Sequence, residues 1–126
     1  MATIDLNEEN LEKTITENDI VIIDFWAPWC GPCKSFGPTF EAASEKNDDI
    51  VFAKVNTEVE QAIGSHFQIR SIPTLMIFRE QIVIFAEAGA MPASGLDQLI
   101  EQVKTLDMDK VREDIADADK KDAAKA

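Results

Sequence analysis

The run Ile20-Val21-Ile22-Ile23-Asp24-Phe25-Trp26 constrains the fold more than any other segment. It is apolar at odd and even positions alike, so a strand built from it must be covered on both faces. A few residues later the chain reads Trp29-Cys30-Gly31-Pro32-Cys33, which holds both of its cysteines. A strand that empties into Cys-x-x-Cys, where a helix is expected to begin, suits thiol–disulfide exchange. Positions i and i+3 of a helix share a face, so the two sulfurs can close a small ring. The first cysteine stands at the helix N-terminus, where unpaired N–H groups and the helix dipole favour a thiolate. The second lies one turn inside and is expected to be the more buried. One sulfur is placed to attack and the other to resolve.

Helical and strand patterns alternate around this unit, in the order βαβαβαββα with a tail. Thr3–Leu6 reads as a short strand. Asn7 suits an N-cap for a helix to about Asn18, with Leu6 and Leu11 as a hydrophobic staple. A helix from the cysteine motif to about Lys46 contains Pro38, which should kink it. Strand Ile50–Asn56 and a helix from Glu58 to about Phe67 follow. Thr74–Phe78 and Ile82–Ala88 read as a hairpin, and Ser94 to about Leu106 as an amphipathic helix with Leu96, Leu99, Ile100 and Val103 on one face. Such alternation implies an α/β domain, a mixed sheet of about five strands flanked by about four helices. The domain is expected over residues 1–106. Residues 107–126, rich in Asp, Lys and Ala, form a charged extension; Met108, Val111 and Ile115 allow part of it to be helical, with fraying beyond Ala118.

Charge and composition exclude several classes. With 24 acidic and 12 basic residues the net charge is −12. Nucleic-acid phosphates and anionic lipid both require neutralising Lys and Arg, so neither is an expected partner. Residues Met1–Glu9 show no basic or apolar leader pattern, and no apolar stretch is long enough to span a bilayer. A cytoplasmic location is expected, and there a lone cysteine pair is catalytic or metal-binding rather than structural. A Cys₄ zinc site would need ligands beyond these two cysteines and His66, which reads as a surface helical residue, so no metal is expected.

The segment Phe25-Trp26-Ala27-Pro28-Trp29-Cys30-Gly31-Pro32-Cys33-Lys34 closely resembles the active-site signature of the thioredoxin family. Ile69-Arg70-Ser71-Ile72-Pro73-Thr74 resembles that family's loop ending in a cis-proline, and Gly89 its glycine after the last strand. The resemblance covers about Ile4–Leu106. It implies the thioredoxin fold and reduction of protein disulfides by a monomer without a bound cofactor, re-reduced by thioredoxin reductase, a flavin enzyme using NADPH. By the same resemblance Cys30 is the nucleophile, Cys33 the resolving thiol, Asp24 a buried acid and Lys54 its lysine neighbour. Trp26 packs under the site, and Trp29, Ile72, Pro73 and Gly89 dock the substrate. Thiol oxidation or isomerisation, and a redox-insensitive binding module, are the competing readings.

The residues support several of these roles independently. Gly31 gives backbone freedom at the turn, and Pro32 suits a first helical turn because it lacks a donor that would be orphaned there. Pro32 also removes an N–H that could stabilise the attacking thiolate, which favours a reductant. Asp24 interrupts an apolar strand; desolvation should raise its pKa and fit it to take the Cys33 proton. Lys54 is either a snorkelling surface lysine or a cation that tempers Asp24. Trp26 is expected to be buried and Trp29 exposed. The family's usual glycine is missing from Phe78-Arg79-Glu80-Gln81-Ile82, so Glu80-Gln81 is expected to adopt a turn other than type I′.

Overall fold

The computed structural model describes residues 2–125, with side chains described as far as residue 120. Its elements are β1 (Thr3–Asp5), α1 (Leu11–Glu17), β2 (Ile20–Trp26), α2 (Gly31–Lys46), β3 (Val51–Asn56), α3 (Gln61–His66), β4 (Thr74–Arg79), β5 (Ile82–Ala88), α4 (Ala93–Lys104) and α5 (Met108–Lys125). The strands form one five-stranded sheet in the order β1-β3-β2-β4-β5. β1 and β2 run parallel to β3, whereas β4 is antiparallel to β2 and to β5. The apolar run is therefore the central strand, as its composition requires.

Alternation along β2 feeds two cores. Ile20 and Ile22 join Phe36 and Phe40 of α2, Phe52, Leu75, Ile77, and Leu96 and Ile100 of α4 on one face. Val21, Ile23 and Phe25 join Leu6, Ala53, Val55, Ile63, Met76 and Phe78 on the other, with Leu11 and Ile15 of α1 packed against them. The chain leaves the C-terminal end of β2 directly into the cysteine motif, so the reactive end of the molecule is the end where β2 stops. Pro38 lies inside α2, which nonetheless runs unbroken from Gly31 to Lys46.

Several elements differ from expectation. α1 begins at Leu11 rather than near Glu8, after a turn over Glu8–Asn10 that Asn7 caps: its Oδ1 accepts from the N–H groups of Glu9 and Asn10 at 2.9 and 3.0 Å, and Leu11 N–H donates to Asn7 O at 3.1 Å. α3 begins at Gln61 rather than Glu58, because Asn56 Oδ1 accepts from Glu58 N–H at 3.0 Å and holds a turn there. In both places an asparagine side chain satisfies donors of the turn that leads into the helix.

The hairpin turn is a correction. Arg79 pairs with Ile82, leaving Glu80 and Gln81 as a two-residue loop. Both have positive φ, 50° and 69°, as a type I′ turn requires. Tertiary contacts account for this: Glu80 N–H donates to Asp19 O at 2.8 Å, and the Glu80 carboxylate pairs with Arg112. Strand twist and the Arg79–Ile82 pairing that closes the hairpin favour the primed geometry, although left-handed backbone costs a non-glycine residue about 1–2 kcal/mol.

The charged extension forms a fifth helix, α5, which continues past Ala118 to Lys125. Met108 is buried at its start. Arg79 Nη1 donates to the carbonyls of Val103 and Leu106, each at 2.7 Å, and so caps the end of α4 where α5 begins. Because Ile20 pairs with Arg79, this junction lies at the start of β2, the end of the sheet away from the cysteines.

Candidate active site

Cys30 and Cys33 are joined in a disulfide, with Cα atoms 5.2 Å apart. Cys30 is the N-cap of α2, and its Sγ accepts the N–H of Cys33 at 3.2 Å. The first orphan donors of a helix point outward at this end. Here one of them is aimed at the leading sulfur, where negative charge would collect in the dithiol form. Gly31 and Pro32 are exposed between the cysteines, with Pro32 in the first turn of α2, where its missing N–H costs nothing. Burial separates the two cysteines little, since they are 5% and 4% exposed. Their difference lies in helical position: Cys33, Phe36 and Phe40 follow one another at helical spacing on the buried stripe of α2. The second sulfur therefore lies on the side of α2 that faces the sheet.

Asp24 lies on the sheet face that α2 covers, because it alternates with Ile20 and Ile22. It is 1% exposed, and neither carboxylate oxygen has a hydrogen-bond partner among the described residues. Burial pushes its pKa from 3.8 up to about 6, an effect that Lys54 partly opposes. Lys54 is its register partner on β3. The Lys54 side chain is half-buried, with Nζ 4.8 Å from the centre of the Trp26 ring. Of the two readings left open for Lys54, the structure supports the cation beside Asp24. Trp26 is half-buried rather than buried outright, because it lies at the end of β2 where the sheet gives way to loop. Its indole Nε1 is enclosed without a hydrogen-bond partner among the described residues, and it packs against the cluster of Ala27, Cys30 and Cys33.

Trp29 stands 69% exposed beside the disulfide. The Ile72-Pro73 peptide bond is cis. Ile72 packs against the cysteines, and its carbonyl oxygen lies 3.8 Å from Cys30 Sγ. Gly89 has φ of +108°, a conformation side-chain-bearing residues rarely adopt, and its N–H donates to Pro73 O at 2.8 Å. The loop and the last strand are thus tied together, and Trp29, Ile72 and Gly89 all border the proline loop or the disulfide. Packing groups Trp26, Cys30, Cys33 and Ile72, register pairs Asp24 with Lys54, and a backbone hydrogen bond ties Gly89 to Pro73.

Two supports were missed from sequence. Thr57 N–H and Oγ1 both donate to Trp26 O, at 2.8 and 3.0 Å, securing the strand end that carries the motif. Thr74 Oγ1 donates to Ser71 O and closes the proline loop. The Ser71–Thr74 spacing of three residues was the available signal. Among the described residues no three His, Cys, Asp or Glu side chains converge as a metal site would need, and no helix is long and apolar enough to cross a membrane.

Comparison with known proteins agrees with this geometry. The thioredoxin family model matches residues 2–102. A protein described as putative thioredoxin 2 of Streptomyces coelicolor is 52% identical over 116 residues, which cover 92% of this chain and 87% of the relative. A thioredoxin of Haemophilus influenzae is 37% identical over 99 residues, 77% of this chain and 92% of that protein. Among solved structures, a thioredoxin mutant from Halobacterium salinarum superposes with a TM-score of 0.77 at 30% identity, covering 83% of this chain and 93% of that one. A thioredoxin of Plasmodium falciparum gives 0.73 at 33% identity, covering 79% and 97%.

Proposed function

The chain belongs to the thioredoxin family and is a thiol–disulfide oxidoreductase, and from that premise we propose that it works as a monomeric cytoplasmic reductant of protein disulfides. The observation that carries this reading is the Cys30–Cys33 pair at the N-terminus of α2, with the Cys33 N–H donating to Cys30 Sγ and Asp24 buried on the sheet face beneath. A substrate segment docks in extended form against Trp29, Ile72-Pro73 and Gly89. The Cys30 thiolate attacks one substrate sulfur; that S–S bond breaks, and the other sulfur leaves as a thiolate. Asp24 takes the Cys33 proton, for which a pKa of about 6 fits it at neutral pH. Cys33 then attacks Cys30 Sγ, releasing the substrate as a thiol and leaving the Cys30–Cys33 disulfide. Lys54 holds Asp24 within the useful range by opposing the effect of burial. Trp26 packs under the pair, and Gly31-Pro32 shapes its loop. The electron pair returns from NADPH through a thioredoxin reductase.

Single-cysteine variants test the assignment. Pre-reduced Cys33→Ser should accumulate a covalent adduct with a protein disulfide substrate, visible by mass, whereas Cys30→Ser should form none. An adduct formed through Cys33 alone would reverse the roles. Equilibration in defined thiol buffers tests direction: a potential near the thioredoxin value of about −270 mV supports a reductant, and one near about −180 to −120 mV marks an isomerase or oxidant.

A further inference from the structure

Beside Trp29 the surface opens into a hollow of about 380 Å³, whose walls include Trp29, Gln61, Ser65, Arg70, Ser71 and Ile72. Ile72 joins it to the reactive centre, since its carbonyl oxygen lies 3.8 Å from Cys30 Sγ. The charge of the hollow sets it apart. In a chain of net charge −12, four other surface hollows carry carboxylates: Glu8 and Glu12 in one, Glu17, Asp19 and Glu80 in a second, Asp5 and Glu60 in a third, and Asp97 and Glu101 in a fourth. This hollow has none on its walls, and Arg70 is its one charged residue. Arg70 is exposed and forms no ion pair among the described residues. Arg79 and Arg112, by contrast, are engaged with backbone carbonyls and carboxylates. The Ser65 and Ser71 hydroxyls add neutral donors. A guanidinium fork with hydroxyls around it and no competing acid matches a carboxylate.

Chain length bounds where that carboxylate would sit. Consecutive Cα atoms are 3.8 Å apart, so the Arg70 Cα lies within about 7.6 Å of that of Ile72. An extended substrate advances about 3.3 Å per residue. We propose that Arg70 and this hollow form a subsite for an Asp or Glu side chain about two or three residues from the substrate's reacting cysteine. The proposal rests on the reading of the chain as a protein-disulfide reductant and names a feature of its substrates. It also gives a mostly acidic surface a local means of accepting an acidic segment.

The test uses the full chain, pre-reduced, and peptides with one cysteine carried as a 2-pyridyl disulfide. Attack of Cys30 on the peptide sulfur releases pyridine-2-thione, and Cys33 then frees the peptide thiol as the protein is oxidised. Gln, Glu or Lys is placed two or three residues to either side of the cysteine. In wild type, Glu should react about three- to fivefold faster than Gln at one or more of these positions, the size expected of an exposed charge pair, with Lys slower than Gln. The Glu/Gln ratio should fall towards one in 0.5 M salt and in Arg70→Gln, and Arg70→Glu should favour Lys. Lys34→Gln, which removes the exposed cation next to Cys33, should keep the wild-type ratio. A ratio near one at every position in wild type would overturn the subsite. So would a ratio that survives Arg70→Gln but disappears in Lys34→Gln. Reaction with all peptides no faster than that of a free thiol at equal concentration would instead refute the reductant reading on which the proposal rests.

Discussion

Asp24→Asn should stabilise the folded protein by an amount that depends on pH in a definite way. Burial holds the Asp24 carboxyl at about 6 against 3.8, and two pH units correspond to about 3 kcal/mol. Well below pH 3.8 both folded and unfolded chains carry the proton, and the group contributes nothing. Between about pH 4 and 6 the unfolded chain ionises while the folded one keeps its proton, so stability falls by about 1.4 kcal/mol per pH unit. Above pH 6 both states ionise and the loss levels off. Linkage with these two values puts roughly half of the destabilisation in place by pH 5 and all of it, about 3 kcal/mol, by pH 7.5. Asn does not titrate, so the variant escapes this term. Its amide is no better partnered than the protonated carboxyl it replaces, which adds an offset independent of pH. Urea unfolding of oxidised wild type and Asp24→Asn at pH 5, 6, 7.5 and 8 should show a difference that grows by on the order of 1 kcal/mol from pH 5 to 7.5 and is then flat. At pH 7.5 the full shift moves the urea midpoint by about 1–3 M. Other carboxylates cancel in the difference. A stability difference constant across this range would refute the raised pKa, and with it the fitness of Asp24 to take a proton near neutrality.

Truncation after Leu106 removes α5, including buried Met108 and the Arg112–Glu80 pair; it should cost about 2–3 kcal/mol in urea unfolding, nearly all of it from Met108, since the half-exposed ion pair contributes less than about 1 kcal/mol. The rate of disulfide exchange and the oligomeric state in solution should be unchanged, because α5 joins the sheet at the start of β2; a slower exchange would place α5 in the reactive end. Gln81→Gly should stabilise by about 1 kcal/mol, because φ of 69° is left-handed backbone that glycine adopts freely. A lower urea midpoint for that variant would show that the Gln81 side chain, not the turn geometry, decides the position.

The parts of the fold that were legible in the sequence are those whose cause is local or periodic. Ile20–Trp26 announces a central strand because burial on both faces leaves no polar alternation. Strand β5 matches the expected Ile82–Ala88, and α2, Gly31–Lys46, matches the helix expected from the cysteine motif to about Lys46. α1 and α3 start later than expected because turns over Glu8–Asn10 and Thr57–Val59 precede them, held by Asn7 and Asn56, and sequence pattern does not separate such a turn from the helix it leads into. The hairpin turn was misread because propensity judged Glu80 and Gln81 alone, while Asp19 and Arg112, distant in sequence, hold them in place. Lys54 stayed ambiguous until the β2–β3 register placed it opposite Asp24. The Arg70 hollow has no sequence signature, since polar loop residues carry no period and only the fold shows that no acid shares its walls.

The two ends of the sheet place opposite demands on one stability margin. At the end where β2 stops, a buried carboxyl and a half-buried tryptophan N–H, both without a hydrogen-bond partner among the described residues, and an exposed indole are arranged for exchange chemistry, and Asp24 alone costs about 3 kcal/mol at neutral pH. A domain of this size holds only about 5–15 kcal/mol in all. At the end where β2 starts, Arg79 caps α4 through two carbonyls, Met108 is buried and Arg112 braces a left-handed turn. One buried methionine recovers about 1.5–3 kcal/mol, comparable to the cost of Asp24. The register that pairs Ile20 with Arg79 and Asp24 with Leu75 separates these sites along the strand, so the compensating contacts touch nothing that reacts. That separation explains how the helical extension can offset the cost of the buried acid without altering the groups that carry out the exchange.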